Sequence, residues 1–365
     1  MNLYKYKDKG LSGLANIGNT CYINSCIQIL SHTYELNDFL NLQTYKTRLN
    51  NKHESLLLIE WDNLRQMMWQ ENCIISPGKF VNTMQKLAHF KKLHLFTGFA
   101  QNDLPEFLLF VLDCFHTSLS RKVDINIEGQ VKTSTDKIAM QCFEMIKRMY
   151  SNEYSEIWSL FYGVHVSQII SASVSSTDSN SVLHESEVLS SSPEPYCVIN
   201  LSIPNSTLKK QEYESANVSP ITLIDCFNLY VEGEKMEGEN AWFNEYTGQK
   251  QDVYKKISYW SFPDILIIDL KRFNNKNNKN QSFIEFPLEN LDLSKYVIGY
   301  NKESYIYDLY GICNHNGSVL GGHYTSFVKN ANGKWYHYND TSVSEVNNLS
   351  YLVSPKAYCL FYRKK

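Results

Sequence analysis

The sequence predicts an α+β fold, with helices concentrated in the first part of the chain and strands in the last. Between Cys21 and about Ser118, apolar residues recur at helical spacing. From Ile265 onward the pattern changes to apolar runs and alternation, the signature of strands. A length of 365 residues exceeds one usual hydrophobic core, so a multilobed enzyme or a pair of domains is expected.

The first helix follows a turn. Gly18-Asn19-Thr20 has turn chemistry, and either Asn19 or Thr20 can serve as its N-cap. Ile23, Cys26, Ile27 and Leu30 mark one buried helical face, which puts Cys21 in the first turn. Further helices are expected from the stripe Leu56, Leu57, Ile59, Trp61, Leu64, Met67 and Met68, and from Val81, Met84, Leu87 and Ala88. Such stripes read as core. In the block 101–116, Asp103 is an N-cap candidate, Glu106 its capping-box return, and Pro105 is tolerated in the first turn. Phe107, Leu108, Val111, Leu112 and Phe115 supply the buried face.

Residues 121–135 are polar and irregular, a loop, and 137–150 return to helical spacing through Ile138, Cys142, Met145, Ile146 and Met149. The Ser-rich stretch 171–195 reads as a flexible insertion. Residues 265–273 form a buried strand, and 304–313 alternate into a loop. Asn332-Gly333 signals a tight hairpin turn, and 356–364 form a closing strand.

Chemistry is suggested by two distant stretches. At the start of a helix, free N–H groups and the dipole favour a thiolate at Cys21. Asn16, in the loop feeding that helix, can donate its amide to an oxyanion forming beside the sulfur. Alone, a cysteine opening a buried helix reads equally as a small apolar residue. A partner lies near the C-terminus, in GGHYTSFVKNANGKWYHYND, where His323 follows two glycines and is itself followed by Asn339 and Asp340. Nucleophile, base and base-orienter then run in the order Cys, His, Asn or Asp, the logic of thiol acyl transfer. His337 is the neighbouring histidine without such a setting.

These stretches, GLSGLANIGNTCYINSCIQIL and GGHYTSFVKNANGKWYHYND, with FTGFAQNDLPEFLLFVLDCFH between them, resemble three blocks of the ubiquitin-specific proteases, which are papain-like cysteine deubiquitinases. The resemblance runs from about Gly10 to Tyr362 and implies one catalytic domain over 1–365 with no further domain attached. Within it, a mainly helical thumb covers 10–150, β fingers cover 155–262 with the insertion at 171–195, and an antiparallel palm covers 263–365. The implied reaction is hydrolysis of the isopeptide or peptide bond after the C-terminal glycine of ubiquitin. Cys21 would be the nucleophile, made more acidic by the helix terminus and an imidazole, and His323 the base and acid. Asn339 would hold the imidazole, with Asp340 in support, while Asn16 and the Cys21 backbone N–H stabilise the oxyanion. The resemblance places Gln101, Asp103, Glu106, Gly321, Gly322 and Tyr324 along the channel for the ubiquitin tail. There carboxylates suit the arginines that precede its glycines. Capping for Asp103 and Glu106, and a flexible turn for the two glycines, stand beside those roles.

Two other classes share these features: a protease for another ubiquitin-like modifier, and a catalytically silent ubiquitin-binding protein. A general papain-like peptidase fits less well, since its histidine follows the cysteine by about 130–150 residues, far less than in this chain. The chain also departs from the family. Many members tie the fingers with a four-cysteine zinc ribbon. In this sequence the first pair falls on Ser171-Ala172-Ser173 and the second on Asn244 and Thr247, none a serviceable zinc ligand. The expectation is no structural zinc, with packing through Trp242, Phe243 and Tyr246 in its place.

Composition narrows the classes. A net charge of −3 argues against general nucleic-acid binding, and no apolar run has the length of a membrane span or the form of a signal peptide. Nine cysteines, none in a CxxC pair, argue against a disulfide framework and fit a reducing compartment. No cofactor is expected. The partners implied are ubiquitin and ubiquitinated proteins, for a monomer in the cytoplasm, with the nucleus as the alternative.

Overall fold

The computed structural model describes residues 2–98, 100–171, 188–204, 220–274, 276–318 and 321–365. The mixed helix-and-sheet expectation holds, and its helical part comes first. Helices α1 (Cys21–Ser31), α2 (Tyr34–Asn41), α3 (Glu54–Gln70), α4 (Gly78–Phe90) and α5 (Leu104–Leu119) share one core. All of α1 is buried, well beyond the one stripe its sequence predicts. It is packed between α5 on one side and the large sheet on the other, so no face of it meets water. In α3, by contrast, Leu56 and Met67 turn outward while Leu57, Leu58, Trp61, Leu64 and Met68 go inward.

Helix α5 begins as its sequence indicates, with Asp103 accepting from the backbone N–H of Glu106. Glu106 supplies that N–H rather than a returning carboxylate, so the cap is one-sided. The reciprocal box forms instead at α6 (Ser134–Glu153), between Thr133 and Asp136. A short α7 (Glu156–Phe161) then leads into the fingers. Within the thumb, β1 (Gly13–Leu14) and β2 (Ile74–Ile75) form a small parallel pair.

The finger sheet draws on β3 (Gly163–Ser171), β4 (Val188–Tyr196), β7 (Glu234–Met236) and β10 (Val253–Ser261), in the order β4-β3-β10-β7. Residues 188–195 therefore belong to a strand, a correction to the flexible insertion expected over 171–195; residues 172–187 of that stretch lie outside the described residues. Serines and prolines concealed the strand. At a sheet edge such residues are tolerated, because pairing is needed on one side only.

The sheet is held against α6 by Ala139, Cys142, Val164, Val166 and Trp260. This corrects the packing expected of Phe243 and Tyr246, which are 54% and 98% exposed on the hairpin β8 (Trp242–Asn244) and β9 (Gln249–Gln251). That hairpin is closed by Asn244. Its Oδ1 accepts from the N–H groups of Tyr246 and Thr247, and its Nδ2 donates to Gln251 Oε1 at 3.2 Å. Among the described residues no cluster of three or more His, Cys, Asp or Glu side chains could hold a metal, and no helix is long and apolar enough to cross a membrane.

The palm sheet runs β17-β16-β15-β14-β18-β11-β5, with β13 beside β14. Its strands are β5 (Val198–Ser202), β11 (Ile265–Lys271), β13 (Leu291–Asp292), β14 (Ile306–Ser318), β15 (Gly321–Lys329), β16 (Trp335–Asn339), β17 (Ser342–Glu345) and β18 (Ala357–Lys364). Two expectations change. The sheet is not purely antiparallel, since β5 pairs with β11 in parallel, and β5 comes from the stretch assigned to the fingers. Ile199 and Leu201 explain this, being buried in the palm core with α8 (Leu223–Val231). The C-terminal strand β18 also lies inside the sheet, between β14 and β11, which accounts for its run of buried residues from Ala357 to Tyr362. A short parallel pair, β6 (Ile221–Thr222) with β12 (Ile284–Glu285), completes that side.

Candidate active site

The loop into α1 is shaped by Gly18 and Asn19, whose φ values of 118° and 53° reverse the chain. Asn16, rather than the expected Asn19 or Thr20, collects its backbone N–H groups. Its Oδ1 accepts from Gly18 at 3.2 Å and Thr20 at 3.1 Å. Thr20 holds the cap position without a side-chain cap bond, its hydroxyl accepting from the N–H of Ile17 instead. Cys21 is thereby fixed as the first residue of α1.

The fold closes the long sequence gap by packing α1 against β15. The backbone N–H of Tyr324, the residue after His323, acts on the Cys21 thiol in the direction that lowers its pKa. On the other side of the hairpin, β16 returns Asn339, and His323 Nε2 lies 2.7 Å from Asn339 Oδ1. The hairpin itself is wider than a two-residue turn. Residues 330–334 link Lys329 to its partner Trp335, with Gly333 at φ 84°. The ring of His337 rests on Phe327 at 4.9 Å.

Asp340 joins the two halves. It adopts φ 49°, and its carbonyl accepts from the N–H of Leu14 at 2.8 Å. Such close approach needs a glycine beside it: a Cβ on Gly13 would lie 2.2 Å from the Thr341 carbonyl oxygen. The carboxylate of Asp340 then accepts from Asn16 Nδ2 at 3.0 Å and from Asn24 Nδ2 at 2.7 Å. Asn24 was not singled out from sequence, although it lies one helical turn beyond Cys21.

The thiol does not behave as the helix start alone suggests. Burial pushes the Cys21 pKa up, and the Asp340 carboxylate adds to the rise; the N–H groups of Tyr324, Tyr22 and Cys21 itself oppose it. Burial outweighs the N–H groups because Cys21 is only 1% exposed. The shift favours the protonated thiol at rest, so an attack by this sulfur would begin with transfer of its proton to a base.

Among the residues expected along a substrate channel, Gln101 meets Gly322, and Asp103 and Tyr324 share Tyr358 as a neighbour. Gln101 bonds to both backbone groups of Gly322: its Nε2 donates to the carbonyl, and its Oε1 accepts from the N–H at 2.6 Å. Asp103 accepts from the Tyr358 hydroxyl at 2.6 Å. Burial raises the Asp103 pKa, and burial with the nearby Asp103 charge raises that of Glu106. Gly321 is exposed at the start of β15. Tyr324 is a core residue, its ring packed 4.6 Å from His315 and 5.9 Å from Tyr358. Asp269 joins this acidic side unannounced: burial, then repulsion from Asp103, lifts its pKa to about 7, with Lys271 pulling the other way. A lone carboxylate inside the apolar run ILIIDL was the signal available for it.

Comparison with known proteins bears on this cluster. The ubiquitin carboxyl-terminal hydrolase family profile matches residues 12–362. The chain is 32% identical to ubiquitin carboxyl-terminal hydrolase 2 of Homo sapiens over 97% of its own length and 55% of that protein. It is likewise 32% identical to ubiquitin carboxyl-terminal hydrolase Usp2 of Drosophila melanogaster, over 98% of this chain and 35% of that protein. The chain thus spans about half the length of these relatives, or less. Among solved structures, the SAGA Ubp8/Sgf11/Sus1/Sgf73 DUB module bound to ubiquitin aldehyde superposes with a TM-score of 0.69. At 22% identity, over 100% of this chain and 72% of that one, this is a likeness of fold.

Proposed function

The chain belongs to the ubiquitin carboxyl-terminal hydrolase family, and from that premise we propose that it is a cysteine deubiquitinase cleaving the bond after the C-terminal glycine of ubiquitin. The observation that carries this reading is the convergence of Cys21, the His323–Asn339 pair and Asp340 from opposite ends of the chain.

In this mechanism Asn339 holds the imidazole through Nε2, so Nδ1 is the nitrogen that takes the thiol proton. The sulfur attacks the glycyl carbonyl, and the tetrahedral oxyanion is met by the Cys21 backbone N–H and by Asn16. One Asn16 N–H is used by Asp340, which fixes the amide and leaves the second N–H for the oxyanion. The imidazolium then protonates the departing amine, and water repeats the sequence on the thioester. Asp103 and Glu106 provide carboxylates for the arginines of the substrate tail. Ubiquitin as the modifier is supported by family membership and by the ubiquitin aldehyde held in the Ubp8 module. Action as a single chain, in cytoplasm or nucleus, is part of the same proposal.

The test is reaction of the purified chain with a ubiquitin bearing a C-terminal electrophile, followed by peptide mapping, with Cys21→Ala as the control. One adduct at Cys21 is expected. Reaction only with probes built on other modifiers, or none in the wild type, would overturn the reading.

A further inference from the structure

Three successive residues ahead of α5 each reach a different element around Cys21. Gln101 bonds to Gly322 at the start of β15, Asn102 Nδ2 donates to the Tyr22 hydroxyl of α1 at 3.1 Å, and Asp103 accepts from Tyr358 of β18 at 2.6 Å. The segment is a strap across the cleft. We propose that it holds the active site closed at rest, and that the Gln101 carboxamide is a removable stand-in for a glycyl peptide of the substrate tail, a step that rests on the deubiquitinase reading.

The stand-in is specific in its chemistry. Gln101 and Gly322 exchange two hydrogen bonds, the pattern two residues exchange across antiparallel strands. Among the described residues that edge of β15 has no strand partner at Gly322, because β16 pairs with β15 only from Ser326 to Lys329. An extended chain could add there by strand pairing, and a glycine in it would approach the backbone most closely. Gln101 now occupies the same donor and acceptor.

The moving part is also defined. Gly322 cannot retreat: a Cβ there would lie 2.3 Å from His315 Nε2, and His315 is pinned by Lys279, whose Nζ donates to its carbonyl at 2.6 Å. The β15 wall is therefore rigid, and release falls to the strap. Its closure agrees with the 1% exposure of Cys21. Displacement of Gln101 by the tail would open the cleft only when the tail arrives, which shields the thiol from other electrophiles.

The test compares wild type, Gln101→Leu and Gln101→Glu, the first losing both bonds and the second losing the donor to the Gly322 carbonyl. Iodoacetamide alkylation is followed residue by residue at one pH, with exposed Cys73 as the internal reference. The expected result is a rise of about 3- to 10-fold in the Cys21 rate relative to Cys73 in both variants, at unchanged melting temperature. An unchanged ratio in two folded variants would overturn the strap. Acceleration in the variants, with a wild type inert to the ubiquitin electrophile, would keep the closure and remove its ubiquitin reading. If Gln101→Leu melts early, the Gln101→Glu ratio decides.

Discussion

His323 Nε2 and Asn339 Oδ1 are 2.7 Å apart. An amide oxygen only accepts, so this contact places the ring proton on Nε2 and the lone pair on Nδ1. A carboxylate at position 339 would impose the same tautomer. Asn339→Asp should therefore keep most of the wild-type kcat on a fluorogenic ubiquitin amide. Asn339→Ala should lose about 10- to 100-fold, with KM little changed. Equal activity in the wild type and the alanine variant would remove Asn339 from the base-orienting role.

Asp340 is predicted to act on two properties that can be separated. It fixes Asn16 and Asn24, and its charge raises the Cys21 pKa. Asp340→Ala leaves Asn16 without its tether, so kcat should fall by about 100-fold, the scale of one misplaced oxyanion donor. In the same variant the thiol should alkylate with a profile shifted to lower pH. A slower enzyme with an unshifted alkylation profile would show that the charge does not reach the sulfur.

How much of this was legible beforehand differs from element to element. Turn and helix signals made Cys21 a candidate, and the resemblance of the block around them singled out His323 and Asn339, which the structure brings within hydrogen-bond distance of each other. The α5 face and the strand from Ile265 carried their periodicity in the open. Asp340 could be named but not its two partners, since its bonds to Asn16 and Asn24 depend on a left-handed residue and a backbone contact at Gly13. Strand β4 was hidden because backbone pairing with β3 leaves no trace in a serine-rich composition. The upward push on the thiol pKa was not legible, because a helix terminus is local and visible, whereas burial by a distant sheet is neither.

The buried carboxylate of Asp269 gives stability a pH dependence of definite sign. Its folded pKa of about 7 lies above the ordinary value of about 3.9. Near pH 4 and below, both states hold the proton, and the folded state loses nothing. As pH rises through 4 to 7 the unfolded chain ionises first, so stability declines and the loss is complete above 7. Asp269→Asn removes that loss. It should raise stability by about 1–3 kcal/mol at pH 8 and change it little at pH 4. Melting temperatures at the two pH values decide the point, and an equal shift at both would refute the assignment.

The thiol itself supplies the last expectation. A papain-like ion pair would keep Cys21 as thiolate far below neutrality, so its alkylation would be fast and nearly flat across pH 6 to 8. The structure implies the reverse, because burial and Asp340 both favour the protonated form. Alkylation of the free enzyme by iodoacetamide should be slow near pH 7 and climb through a range above about 8.5, the ordinary thiol value. Turnover of a ubiquitin amide should already be substantial at pH 7.5, since His323 removes the proton during attack rather than before it. A low-pH inflection in the alkylation of resting Cys21 would show that the ion pair forms without substrate, and that the proton leaves the sulfur before the carbonyl arrives.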